Sequence, residues 1–429
     1  MRTAILYTIA ATALTIAACS GQAPHGVIIS FPASAVGAEA DVLQRQLSRF
    51  MQNHPDIQVV QRKTPDAADQ RRQLYVQWLN AGTSDPDILQ LDVIWTPEFA
   101  AAGWILSLDP FAPKVEDFFP ATVTANRWQG KLYALPWFVD VGMLYWRTDV
   151  LDHPPDSFAD LSRQTAEVRN RDGLSFGFVW QGARYEGLVT VFLEHLGGFG
   201  GRILDEAGHV VVDSSPAISA LTYMRDSIYR DGVVPASVLT WQEEQTRFAF
   251  QNGQAALMRN WPYAATLLQN HTESRVAGKF AVASMPATPA GSPTAALGGS
   301  QLAINANSDH PQAAYAVIAY LTQPEQMLER ARLVGQYPSR PALYASEALA
   351  NALAVSPVQV RRIIEHAVPR PVTPVYAELS EILQIHLHRA LTRQQEPAEA
   401  LADAAKAMRK LLTNVDLTQE NEQGRSQEE

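Results

Sequence analysis

Four short stretches set charged groups among aromatic and branched apolar residues: Leu91-Asp92-Val93-Ile94-Trp95, Phe138-Val139-Asp140, Arg259-Asn260-Trp261-Pro262-Tyr263 and Val368-Pro369-Arg370-Pro371. A charge taken out of water needs a partner, because burying it unpaired costs several kcal/mol. A neutral polyhydroxylated ring can supply one. Its hydroxyls donate to carboxylates and accept from a guanidinium, while its C–H faces lie flat on Trp or Tyr rings. Singly, each residue has an ordinary structural role open to it, as helix cap, core aromatic or ion-pair member. Together, and without a catalytic motif, they point to recognition of a polar, uncharged, ring-shaped ligand.

Other chemistry finds little support. Gly173-Leu174-Ser175-Phe176-Gly177 matches the nucleophile elbow of serine hydrolases only formally, since that motif needs a strand before the serine and a helix after it. Here a helix-like segment precedes and a strand-like one follows. His386 and His388 are two apart on a helical pattern, which puts them on nearly opposite sides and spoils joint metal ligation. The sequence has no phosphate-binding Walker loop, zinc-protease motif or paired cysteines, and Gly197-Gly198-Phe199-Gly200-Gly201 misses the dinucleotide spacing. No cofactor and no metal are expected. With 34 Lys and Arg against 44 Asp and Glu, the net charge of −10 argues against a nucleic-acid partner.

The elements that must position these residues begin after an export signal. Arg2 precedes an apolar run over 4–16 that is too short to span a bilayer, so residues 1–18 read as a signal peptide. The run ends in Ile16-Ala17-Ala18-Cys19, which resembles a lipobox. Cys19 is the sole cysteine, and we expect it to carry a lipid, with residues 19–25 as linker. The body offers no other membrane span, so the anchor is expected to hold a soluble protein at the periplasmic or cell-surface side of a bacterial membrane.

Beyond the linker, strand-like 27–31, a helical period over 39–54 and strand-like 57–60 predict a β-α-β unit. A second helix over 67–80 and a strand over 87–93 extend it to a doubly wound α/β lobe. Residues 132–146 take on strand spacing, helices are predicted over 158–169, 216–231, 242–251 and 311–321, and the chain beyond Pro324 is mainly helical to Leu412. The polar residues 414–429 read as disordered.

With these residues placed, the chain resembles the trehalose/maltose-binding proteins of ABC importers, within the extracellular sugar-binding proteins. The likeness rests on Ser84-Asp85-Pro86-Asp87 leading into 91–95, Lys131-Leu132-Tyr133-Ala134-Leu135-Pro136 through Asp140, and Gly177-Phe178-Val179-Trp180-Gln181-Gly182 with Tyr185-Glu186-Gly187-Leu188. It continues in Arg259-Asn260-Trp261-Pro262-Tyr263-Ala264, Leu297-Gly298-Gly299, and Ala367-Val368-Pro369-Arg370-Pro371 with Pro374-Val375-Tyr376. The resemblance implies two α/β lobes with a ligand cleft between them. Residues 26–128 plus 264–320 form the N-terminal lobe and 129–263 plus 321–413 the C-terminal lobe, with crossings near Trp128, Tyr263 and Tyr320.

It also assigns Glu39, Arg71, Asp92, Asp140, Trp261, Tyr263, Gly299 and Arg370 to a sugar site. Where close relatives carry Trp after Leu-Gly-Gly, this chain has Ser300. The expected function is a monomeric receptor whose lobes close on a disaccharide, trehalose ahead of maltose, and present it to a membrane permease. A glycoside hydrolase using the cleft carboxylates is the alternative, and an adhesive lipoprotein ranks last.

Overall fold

The β-α-β start expected from periodicity forms as β1 (Val27–Ala33), α1 (Glu39–Asn53) and β2 (Ile57–Lys63), followed by α2 (Ala68–Asn80) and β3 (Ile88–Asp92). The computed structural model describes residues 26–33, 39–65, 68–172 and 174–425. The signal peptide, Cys19 and the linker lie outside the described residues. β1 and β2 pair in parallel, and α1 lays Leu43, Leu47 and Phe50 against Ile29, Phe31 and Val59. Asp87 then joins β3 to β1: its N–H donates to Ser30 O at 3.1 Å and its carboxylate accepts from Ser30 N at 2.8 Å.

The chain continues through α3 (Thr96–Ala101), α4 (Pro120–Thr124) and the short pair β4 (Arg127–Trp128) and β5 (Lys131–Leu132) to β6 (Ala134–Val141) and β7 (Met143–Arg147). Next come α5 (Phe158–Asp172), β8 (Phe176–Val179), α6 (Glu186–Gly198), α7 (Ser215–Tyr229), α8 (Glu243–Gln251), β9 (Ala255–Asn260), α9 (Tyr263–Leu268) and β10 (Phe280–Ala283). β11 (Ala295–Ile304) leads to α10 (Pro311–Leu321), α11 (Pro324–Val334), β12 (Tyr337–Pro338), α12 (Glu347–Ala350), α13 (Pro357–Glu365) and β13 (Ala367–Val368). Two long helices, α14 (Tyr376–Leu391) and α15 (Pro397–Arg425), close the chain.

Two sheets organise these elements. In the first, β11 runs antiparallel between β3 and β6, and β12 pairs the far side of β6. The first lobe is therefore mixed rather than wholly parallel, because its central strand arrives late and from the other direction. In the second, the order is β10-β7-β9-β8, with only β8 and β9 parallel. Helix α6 is buried almost all round and packs between α7 and α14, while Leu401, Ala404 and Met408 of α15 complete that core.

Strand pairing puts the sheet changes elsewhere than expected. β6 stays in the first sheet and the chain passes to the second at Gly142, not near Trp128. β10 pairs with β7 in the second sheet, and β11 carries the chain back to the first. α11 packs on α1 and β12 on β6, so these too stay with the first lobe beyond Tyr320. The cause is β11 itself, whose residues are nearly all buried and whose unalternating, glycine-bearing sequence hides a strand. Residues 414–425, expected to be disordered, continue α15, since no proline or glycine interrupts them before Gly424.

Gly299 fixes how closely β11 and β6 approach. Its φ is +107°, and an added Cβ would overlap the Phe138 carbonyl and lie 2.9 Å from Val139 Cα. Gly299→Ala is expected to lower stability by about 1–3 kcal/mol, read as an earlier urea midpoint.

Candidate functional site

The register of β11 builds the first wall. Ser300 lies opposite Asp92 on β3, and Gly298 lies opposite Asp140 on β6. Two carboxylates thus flank a single strand, and Gly299 O accepts from Val93 N at 3.2 Å to hold the turn beyond Asp92. Glu39, at the start of α1, accepts from Gln336 Nε2 at 2.9 Å. Gln336 Oε1 in turn accepts from Arg330 Nε at 2.6 Å. Arg330 is buried 4.0 Å from the Trp137 ring centroid, and burial pulls its pKa down to about 10 against the opposing fields of Glu39 and Glu329.

Asp140 feels both neighbours. Burial first, then the charges of Glu39 and Asp92, push its carboxyl up to about 7. Three carboxylates therefore share one field at the mouth of the first sheet.

The second wall comes from the segment after β9. Trp261 is half-buried and donates from Nε1 to Glu243 Oε1 at 3.3 Å. Tyr145 OH donates to the Trp261 carbonyl at 2.8 Å. A Cβ on Gly298 would stand 3.3 Å from both Asp140 Cβ and Trp261 Cζ3, so the indole edge meets the first wall at that glycine. Tyr263 donates its hydroxyl to Glu244 Oε1 at 2.7 Å; burial and then this carboxylate raise its pKa.

Arg370 joins the two walls. It donates from Nη1 to Glu186 Oε1 at 2.9 Å, and from Nη2 to Leu297 O at 3.2 Å and to Asp92 Oδ1 at 3.5 Å. Burial alone would lower its pKa, but Glu186 and Asp92 hold it above the ordinary value. Glu186 also accepts from Tyr376 OH at 2.6 Å and from the Ser380 hydroxyl.

Of the sequence-assigned residues, Asp92, Asp140, Gly299, Arg370 and Trp261 converge at β11, and Glu39 is coupled to Asp140. Tyr263 sits one residue past Pro262 with its hydroxyl held by Glu244. Arg71 is buried on α2, with its guanidinium 5.4 Å from the Trp95 ring centroid and Nη1 3.4 Å from Pro65 O. Its link to the others runs through Trp95, in the turn after Asp92. Ser300 is buried, and its hydroxyl accepts from Gln90 Nε2 at 3.0 Å, which ties it into the first sheet.

Sequence reasoning did not assign Glu186, Glu243 or Glu244. Glu186 stood in a quoted run, and a carboxylate in the first turn of a helix was the available signal. Glu243 and Glu244 begin α8 in the same way.

Two sheets between which the chain crosses, with carboxylates, an arginine and an indole ring gathered where they meet, define a two-lobed binding protein of the periplasmic type. Residues 34–328 match the model of the bacterial extracellular solute-binding proteins, and the chain belongs to that family: it binds a solute rather than transforming one. A probable ABC transporter-binding protein of Deinococcus radiodurans is 34% identical over 402 residues, covering 90% of this chain and 94% of that one. Among solved structures, maltose-bound T. maritima MalE3 superimposes with a TM-score of 0.81 at 42% identity, covering 90% of this chain and all (100%) of that one. The GacH receptor of Streptomyces glaucescens shares the fold with a TM-score of 0.78 at 24% identity, covering 90% and 99%.

Because the folded chain holds a proton on Asp140 up to about pH 7 that an unfolded carboxyl releases near 3.8, its contribution to stability is full below the lower value. That contribution is lost as pH rises through the upper one. The melting temperature of the ligand-free protein is expected to fall across this window relative to Asp140→Asn, as read by differential scanning calorimetry.

Proposed function

We propose that this protein is the sugar-binding component of an ABC importer, taking a disaccharide of the maltose and trehalose class between its lobes. The observation that carries this reading is the register of β11, which sets Asp92 and Asp140 on either side of Gly299 with Trp261 at Gly298. Carboxylates there can accept from paired hydroxyls, and the indole can carry a pyranose face. Arg370, already placed between the lobes, would donate to ring or hydroxyl oxygens. The maltose held by the 42% identical MalE3 supports a glucoside ligand. Trehalose, favoured by the sequence motifs, is the second sugar of the proposal.

Closure would follow from contacts to both lobes, so the sugar favours the closed state by binding it more tightly. The closed form would then be presented to a membrane permease. No described helix is long and apolar enough to cross a membrane. The Ile16-Ala17-Ala18-Cys19 sequence supports a lipid on Cys19 as the means of attachment, and with it an extracytoplasmic position at the membrane surface.

Isothermal titration calorimetry with maltose, trehalose, sucrose and glucose is expected to show binding of maltose or trehalose without release of glucose. Asp92→Asn or Trp261→Ala should weaken it by about 10- to 100-fold. Binding of none of these sugars, or glucose release lost in Asp92→Asn, would overturn the proposal. In cells fed a labelled fatty acid, the chain should take up label and Cys19→Ala should not; an equally labelled variant would remove the anchor.

A further inference from the structure

Glu194 and Arg259 are both fully buried, and sugar binding as described makes no use of them. Arg259 donates from Nε to Glu194 Oε2 at 2.8 Å and from Nη2 to Oε1 at 2.5 Å, the two-point match of guanidinium and carboxylate. Its Nη1 donates to Gln181 Oε1 at 3.2 Å, and Gln181 Nε2 returns a bond to the Arg259 carbonyl at 3.0 Å. Held on three sides, the guanidinium has no freedom to turn. Its carbon lies 4.1 Å from the centroid of the Trp261 ring, so one face of the indole rests on a fixed cation.

The same carboxylate reaches the crossing strands. Glu194 Oε1 accepts from Ala296 N at 3.1 Å, at the start of β11. Gly142, where the other strand changes sheets, donates its N–H to Ala296 O at 3.3 Å. A Cβ on Gly142 would overlap the Glu194 carboxylate, so a glycine there lets the pair sit directly against the crossing. A buried pair that served only the second lobe's stability would need neither contact, and well-packed apolar residues often do that work as well.

We infer that Glu194 and Arg259 are a positioning pair that sets the Trp261 ring and fastens it to the two strands joining the lobes, so that the sugar platform is held in register with closure. The inference rests on Trp261 being a sugar platform. It explains why the arginine lies on β9 two residues before the ring, and why Gly142 sits at the sheet change.

The test begins with the wild-type protein titrated with maltose and trehalose; absence of binding would overturn the sugar reading before the pair is touched. Arg259→Lys keeps the charge but loses the flat face and the two-point match, and Gln181→Met releases one hold more gently. Arg259→Lys is expected to weaken sugar affinity about tenfold, and Gln181→Met by a smaller factor. The Trp261 emission, taken as the difference between chains with and without Trp261→Phe, should shift in both. Gly142→Ala, made on the crossing strand, should shift the same emission. Wild-type affinity and unchanged Trp261 emission in whichever pair variants fold, even with a lowered melting temperature, would leave the pair a purely structural one. Unchanged emission in Gly142→Ala would overturn the link to the crossing strands.

Discussion

The close approach of β11 and β6 at Gly298 and Gly299 is the constraint on which the rest of the structure depends. A side chain at 299 would push into the backbone of β6, so the two strands can lie at this spacing only where one residue lacks a Cβ and takes a positive φ. Asp92 and Asp140 are then brought to the two flanks of one strand, where burial first, and then the charges of Glu39 and Asp92, raise the proton affinity of Asp140. The same glycine pair leaves room for the edge of Trp261. The first wall of the cleft is thus made chiefly of backbone geometry, with side chains added to it.

The second wall depends on a helix. Glu186 opens α6 and Glu194 lies eight residues on, about 12 Å along the axis. The first carboxylate holds Arg370 and the second holds Arg259. Each arginine also meets a residue of the other wall or of the proposed site: Asp92 in one case, the indole of Trp261 in the other. Both arginines are buried, and in the Glu194–Arg259 pair both members are, where removing one costs about 3–5 kcal/mol. The apolar surroundings of α6 fix Glu194, while Glu186, partly exposed at the helix start, is held by Arg370, Tyr376 and Ser380.

The elements at the start of the chain were legible in sequence because each carried a clear period. α1 shows its buried stripe of Val42, Leu43, Leu47 and Phe50, and α10 follows a helical period that begins at Pro311. α6 and β11 were not found, for one shared reason. α6 is buried on nearly every side and β11 on both faces, so neither shows the alternation of wet and dry positions on which a period depends. The site residues stood out because charge among aromatics is unusual, but their grouping depends on β11. That is why the carboxylates could be named from sequence while the positions of the sheet changes could not. Glu194 was hidden by the same apolar helix, whereas Glu186 stood in a quoted run without being placed at a helix start.

The central strand of the first sheet is residues 295–304, whereas its neighbours β3 and β6 are residues 88–92 and 134–141. During synthesis those two strands emerge with no partner between them, and some 150 further residues must follow before one arrives. Pairings so distant in sequence carry a large loop-closure entropy and slow the folding transition. The first lobe cannot complete itself domain by domain as the chain lengthens, while β7, β8 and β9 of the second lobe lie within residues 143–260. The sheet of the second lobe can therefore start to pair earlier, although its helical core waits for α14 and α15. A chain of this topology stays incompletely folded until late, the condition in which an exported polypeptide can still be threaded through a membrane.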